Sequence, residues 1–155
     1  MTREEARQIL EATFAKAFEE NPEAGAKAIN SYNKLKVSEY QECGKTSGNL
    51  RAVAMERLHE LPVMSAEQNG EVITMMVGSG FGDRNPTMLE VVIRGSDVTV
   101  TAWAKEGIIP QKSAKKAVNA ALKALGLLKF FINKENRHAY SYHRQRRTGE
   151  QFKKY

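Results

Sequence analysis

Cysteine, aspartate and histidine are scarce in this 155-residue chain, and each scarcity removes a class of protein. The single cysteine, Cys43, has no partner for an internal disulfide, so the chain suits a reducing compartment and the cytoplasm is the expected location. One cysteine also excludes a Cys-x-x-Cys pair, and the three histidines, His59, His138 and His143, assemble no metal set. Glu56-x-x-His59 has the spacing of half a di-iron site, whose second half is missing, so His59 is expected on a helix surface. The two aspartates, Asp83 and Asp97, fall in expected turns, and no Ser or Cys stands in a nucleophile elbow. No active site, metal or cofactor is therefore expected, and the chain reads as non-catalytic. Long apolar runs are missing too. The run 127–132 is broken by Lys129 and is far short of the roughly 20 residues that span a bilayer. Met1-Thr2-Arg3-Glu4-Glu5 opens directly into an amphipathic pattern with no signal-peptide core, so no membrane partner is expected.

Two glycine motifs imitate nucleotide sites and fail on spacing. Gly44-Lys45-Thr46 has the tail of a phosphate-binding loop, but position 39, where that loop needs its first glycine, is Glu39. Gly78-Ser79-Gly80-Phe81-Gly82 would have to open a helix to serve as a dinucleotide fingerprint. Asp83-Arg84-Asn85-Pro86 and a strand pattern follow instead, so it reads as a connection between strands. Any function there would come from bare backbone amides approaching a ligand.

What is present is one domain's worth of ordered pattern. A 41% hydrophobic content in 155 residues suffices for a packed core. Residues 2–20 read as a helix opened by the Thr2-x-x-Glu5 capping box, with Ile9, Leu10, Phe14 and Phe18 on its apolar face. Asn21-Pro22 ends it and starts a second helix carrying Ala28, Ile29, Tyr32 and Leu35. Residues 38–49, rich in Ser, Gly and polar types, read as a loop. A third helix is expected over 50–61, and the apolar run 72–77 as a buried strand. Segments 88–94 and 97–105 alternate around Gly95-Ser96 and predict a hairpin, with Val98, Val100, Ala102 and Ala104 inward and Thr99, Thr101, Trp103 and Lys105 on the other face. A fourth helix, expected over 113–125, is capped by Ser113 and ended by Gly126. The fold class is thus α+β: an N-terminal helical hairpin (1–37), a loop (38–49), an α-β-β-β-α unit with a three-stranded antiparallel sheet (50–132), and a basic, flexible tail (133–155).

Charge is unevenly placed. Residues 111–155 hold 12 Lys/Arg against 2 acidic residues, which leaves 12 against 16 in residues 1–110 of a chain whose net charge is +6. Clustered positive charge is the footprint of a phosphate-backbone partner, because each neutralised phosphate releases a counterion. On the fourth helix, Lys112, Lys116, Asn119 and Lys123 share the face opposite Val118, Ala121, Leu122 and Leu125, with Lys115 at its edge. In the tail, Arg137, Tyr140, Tyr142, Arg144, Arg146 and Arg147 mix cations with aromatic rings, as single-stranded nucleic acid is often held. Trp103 is either an exposed contact anchor or a residue covered by the N-terminal helices.

The order helix, three strands, helix, ending in Lys112-Ser113-Ala114-Lys115-Lys116-Ala117-Val118-Asn119-Ala120-Ala121-Leu122-Lys123-Ala124-Leu125, resembles the double-stranded RNA-binding domain over about residues 50–125. The last helix of that family opens with lysines and continues Ala-Ala-x-x-Ala-Leu. The resemblance implies phosphate contacts by Lys112, Lys115 and Lys116, and a first-helix contact by Glu56. The lysines stand one residue out of the family register, and the loop 78–87 lacks the family's histidine. The first functional expectation is a non-catalytic protein that binds nucleic acid, structured or double-stranded RNA ahead of DNA, through the fourth helix and the tail. The second is a small protein-binding module or inhibitor, of the kind mobile elements carry, docking through the helical hairpin or the Trp103 face.

Overall fold

The computed structural model describes residues 1–20, 22–80, 82, 85–107 and 111–127. Their centre is an antiparallel five-stranded sheet, not a three-stranded one. Its strands are β1 (Lys36–Lys45), β2 (Val63–Asn69), β3 (Val72–Ser79), β4 (Asn85–Arg94) and β5 (Asp97–Glu106), in the spatial order β1-β5-β4-β3-β2. The β4–β5 hairpin turns at Gly95-Ser96 as expected, with Arg94 opposite Asp97 and Val91 opposite Val100. β1 replaces the loop expected over 38–49. It pairs with β5 from Lys36–Glu106 to Lys45–Asp97, so the sheet runs across the boundary drawn between hairpin and core. β2 was missed because all but Val63 of its residues are exposed, which removes the alternation that marks a half-buried strand. The turn was legible: Asn69-Gly70 is a hairpin signal, and Gly70 adopts φ +60° there.

One face of the sheet is covered by α3 (Leu50–Leu58) and α4 (Ser113–Ala124). Ile73, Met75, Val77, Leu89, Val91, Ile93, Val98 and Val100 from the strands meet Ala54 and Leu58 of α3 and Ala114, Val118, Ala121 and Leu122 of α4. Because α3 and α4 bracket four strands, β2 to β5, this unit has one strand more than the α-β-β-β-α pattern. The C-terminus of α4 closes as a Schellman motif: Gly126 N donates to Lys123 O (3.0 Å) and Leu127 N to Leu122 O (2.7 Å), with Gly126 at φ +76° and Leu127 buried.

Its N-terminus differs from the expectation. Ser113 is not the cap but the first helical residue, and Lys112 before it is left-handed at φ +55°. The capping acceptor comes from seven residues upstream, where a Glu106 carboxylate oxygen accepts from Ser113 N. The Ser113 hydroxyl accepts instead from Asn85 Nδ2 (2.9 Å), and Ser113 O accepts from the Ser79 hydroxyl (2.9 Å). Gly80 completes this junction. At φ +81°, an added Cβ would stand 2.6 Å from Gln111 Oε1 and 3.0 Å from Ser113 Oγ. Gly80→Ala is therefore expected to cost on the order of 1–3 kcal/mol, measurable as a lower urea midpoint. An unchanged midpoint would mean the junction is loose.

The opposite face carries α1 (Arg3–Lys16), with α2 (Pro22–Asn33) packed on α1. The capping box forms as expected: Glu5 N donates to Thr2 Oγ1 (3.2 Å) and Thr2 N to Glu5 Oε2 (2.7 Å), which holds the Glu5 carboxyl below its ordinary range. Ala6 and Leu10 join Met76, Met88 and Trp103 in a second, smaller core. Of the four apolar side chains expected to be buried, Leu10 is, Phe14 and Phe18 are half-buried, and Ile9 is 39% exposed. Phe14 stacks on Tyr32 of α2 with centroids 4.0 Å apart. Trp103 is thus covered, at 2% exposure, by the N-terminal helix rather than presented to solvent. Among the described residues no helix is long and apolar enough to cross a membrane.

Lys105 makes the seam between helices and sheet. Its side chain is 0% exposed, although its strand position placed it on the polar face. The ammonium donates to a Glu11 carboxylate oxygen from α1 and to the carbonyls of Tyr32 (3.3 Å) and Asn33 (3.2 Å) at the end of α2. All three ammonium donors thus have acceptors, as a buried cation requires. The same burial, helped by the Glu11 charge, pushes the Tyr32 phenol up to about 12.

Candidate nucleic-acid interface

α4 is amphipathic by composition, and the sheet selects which face is hidden. Ala114, Ala117, Val118, Ala121 and Leu122 go inward; Lys112, Lys115, Lys116, Asn119, Ala120 and Lys123 remain exposed. Lys112, Lys116, Asn119 and Lys123 form one stripe, about 16 Å long at 1.5 Å per residue. Lys115 stands toward β1, its Nζ 5.4 Å from the Tyr40 ring centroid. Tyr40 donates its hydroxyl to Glu42 (2.7 Å), so a ring, a carboxylate and an ammonium share the α4–β1 edge.

Arg3, Arg7, Lys45, Arg94 and Lys105 sit in ion pairs, whereas Lys112 before α4 and Lys115, Lys116 and Lys123 on it have no ion-pair partner among the described residues, as is also true of Lys16, Lys27, Lys34, Lys36, Arg51 and Arg57. What sets the α4 lysines apart is that they gather on one helix. α4 itself contains no acidic residue. An unpaired, exposed cation keeps its field for an incoming anion. The helix N-terminus does not add to that field as expected, because the Glu106 carboxylate already occupies the Ser113 amide.

A cleft of about 220 Å³ opens along this stripe, lined by Leu61 and Pro62 after α3, Val77, Gly78, Ser79 and Gly80 of β3 and its end, and Lys116, Ala117 and Ala120 of α4. No sequence signal pointed to it, since its walls come from three separated segments of ordinary composition. A second cleft, about 260 Å³, lies between the start of α3 and the end of α4, where Arg57 donates to Leu125 O (3.2 Å).

The structure thus gathers Lys112, Lys115, Lys116 and Lys123 on one face. Arg137, Tyr140, Tyr142, Arg144, Arg146 and Arg147 lie outside the described residues. Glu56 and His59 are exposed at α3, and no group of three metal-ligating side chains occurs among the described residues. Gly44 and Lys45 end a strand, with Lys45 3.8 Å from Asp97, so the phosphate-loop geometry is not formed there. Gly78 and Ser79 still belong to β3, opposite Pro86 and Asn85 of β4, so the start of the second glycine motif is strand rather than the connection expected. No family model, curated protein or solved structure matches the chain.

Proposed function

We propose that this chain is a non-catalytic nucleic-acid-binding protein, directed to structured or double-stranded RNA, which it holds through the exposed face of α4 together with the basic segment that follows. The observation that carries this reading is the gathering of Lys112, Lys115, Lys116 and Lys123 at the start and on the exposed face of one helix that has no acidic residue, with no ion-pair partner for any of them among the described residues. Rigid placement matters because phosphates held at fixed positions release counterions with less ordering cost than phosphates held by free side chains. The preference for RNA rests on the likeness of the lysine-opened, alanine-rich α4 to the double-stranded RNA-binding domain.

Docking of a protein on the hairpin or the sheet face is the competing reading, and its surface is small. Trp103 is covered, and Ile9 is the one large apolar side chain exposed on the described hairpin. Salt separates the two, since phosphate binding weakens steeply with ionic strength and apolar docking does not.

The test is an electrophoretic shift series with duplex RNA, duplex DNA and single strands at two salt concentrations. Replacing Lys112, Lys115 and Lys116 together with Ala is expected to weaken binding and to reduce the salt slope by about 0.7–0.9 per lost phosphate contact. The fold should survive, because all three side chains are exposed. Deleting residues 136–155 tests the tail separately. If the triple variant binds like the parent and the deletion abolishes binding, α4 is not the interface. If no nucleic acid binds at low salt, the reading fails.

A further inference from the structure

The cleft beside Lys116 adds a base-sized recess to a phosphate-binding stripe. Its walls are the apolar side chains of Leu61, Pro62, Val77, Ala117 and Ala120, and Gly78 and Gly80 leave backbone bare along one side. At about 220 Å³ it falls below the roughly 300–1,000 Å³ of sites for drug-sized ligands, and suits a single ring system. Among the described residues Lys116 is the one charged group lining it, with Lys112 one helical turn behind, about 6 Å along the axis. An occupant must therefore be flat and apolar on its faces, small, and attached to anionic groups on one side.

We propose that the cleft receives one unpaired nucleobase of a strand whose flanking phosphates lie on Lys112 and Lys116. The proposal rests on the nucleic-acid reading of α4 and sharpens it. A base within a duplex is stacked between neighbours and cannot enter a recess, whereas a bulged or looped base has already lost much of that stacking. Binding therefore favours an RNA carrying an unpaired nucleotide over a fully paired one of equal length. The lysines supply affinity for either substrate; the cleft supplies the difference between them.

Two hairpin RNAs of equal length, one fully paired and one with a single-nucleotide bulge, test this together with their DNA counterparts. The proteins are the parent, Ala120→Leu, Ala52→Leu and Lys116→Ala. Ala120 and Ala52 are both exposed on helices, but only Ala120 lines the cleft and Ala52 lies on α3 outside the lysine stripe, so both variants are expected to fold and melt like the parent. The parent should bind the bulged RNA about tenfold more tightly than the paired one, a difference near 1.4 kcal/mol. Ala120→Leu, which fills the recess, should lose that preference while keeping the parent's affinity for the paired hairpin. Ala52→Leu should keep it, and Lys116→Ala should weaken binding to both RNAs. Equal preference for bulged DNA would support the recess for an unpaired base of either nucleic acid. A parent that does not distinguish bulged from paired hairpins, or Ala120→Leu and Ala52→Leu behaving alike, overturns the cleft proposal while lysine-dependent binding stands. If neither RNA nor DNA is bound at low salt, the nucleic-acid reading itself fails and the cleft proposal with it.

Discussion

Lys105→Ala is expected to remove roughly 3–5 kcal/mol of folding stability, the largest effect of any single substitution outside the apolar core. The reason is the set of acceptors left behind. The Lys105 ammonium is fully buried and satisfies a Glu11 carboxylate oxygen and the carbonyls of Tyr32 and Asn33, so its loss takes a partner from a carboxylate and from the Asn33 carbonyl in the seam, while the Tyr32 carbonyl keeps its bond from Leu35 N (3.0 Å). Arg7, 3.3 Å from Glu11, compensates only in part, because it also pairs with Glu4 and its side chain is 43% exposed. Replacing both charges by apolar groups is a different experiment. The double variant Lys105→Met with Glu11→Leu removes the unpaired charge and is expected to recover most of what Lys105→Met alone loses, short of the cost of the Asn33 carbonyl that loses its donor. Urea unfolding of the parent, both single variants and the double variant gives the coupling directly. A Lys105→Ala variant within 1 kcal/mol of the parent would show that the hairpin is not held by this pair.

Trp103→Ala is expected to cost a similar amount, about 3–5 kcal/mol, as large-to-small changes at fully buried aromatic positions do. Trp103 fills the seam between α1 and the sheet with Ala6, Leu10, Met76 and Met88 around it, a group too small to close over the cavity. Trp103→Phe should cost well under half as much. Among the described residues the buried indole Nε1 has no hydrogen-bond partner, so phenylalanine forfeits area but breaks no polar contact there. Trp103 is the chain's one tryptophan, so its emission in the parent reports the seam itself. A shallow loss for Trp103→Ala, or a loss for Trp103→Phe that equals it, would contradict this account.

Legibility varied by element, and the variation has a physical pattern. The capping box at Thr2 and Glu5, the Gly95-Ser96 turn and the Gly126 terminus were all readable, because each is a local arrangement set by a few neighbouring residues. The inward set of β5, Val98 to Ala104, was readable from alternation. The two edge strands were not. β1 alternates between half-buried and exposed positions, but its half-buried set Ser38, Tyr40, Glu42 and Gly44 is not apolar in sequence, and β2 is exposed on both faces, so neither carries the hydrophobic alternation of a half-buried strand. The cap of α4 was misassigned because Ser113 is the residue type that caps helices, while the true acceptor, Glu106, arrives across a connection that sequence spacing does not describe. In the candidate site the lysines were visible by helical period; the cleft was not, since residues 61–62, 77–80 and 116–120 meet only through the sheet.

Composition and periodicity by themselves determined that this chain mixes helices with antiparallel strands, that α4 has a basic face and an apolar face, and that its positive charge gathers toward the C-terminus. These are properties of residues close together in the chain, where side-chain direction follows from backbone period alone. The tertiary structure decided the fate of residues whose environment depends on a distant segment. β5 is alternating in sequence yet buried on both faces, because α1 closes over its polar side and turns Trp103 into core and Lys105 into a buried ion pair. Charge and polarity predict solvent only until another element covers them, and then the same lysine that would have been surface becomes the contact that holds the covering element in place.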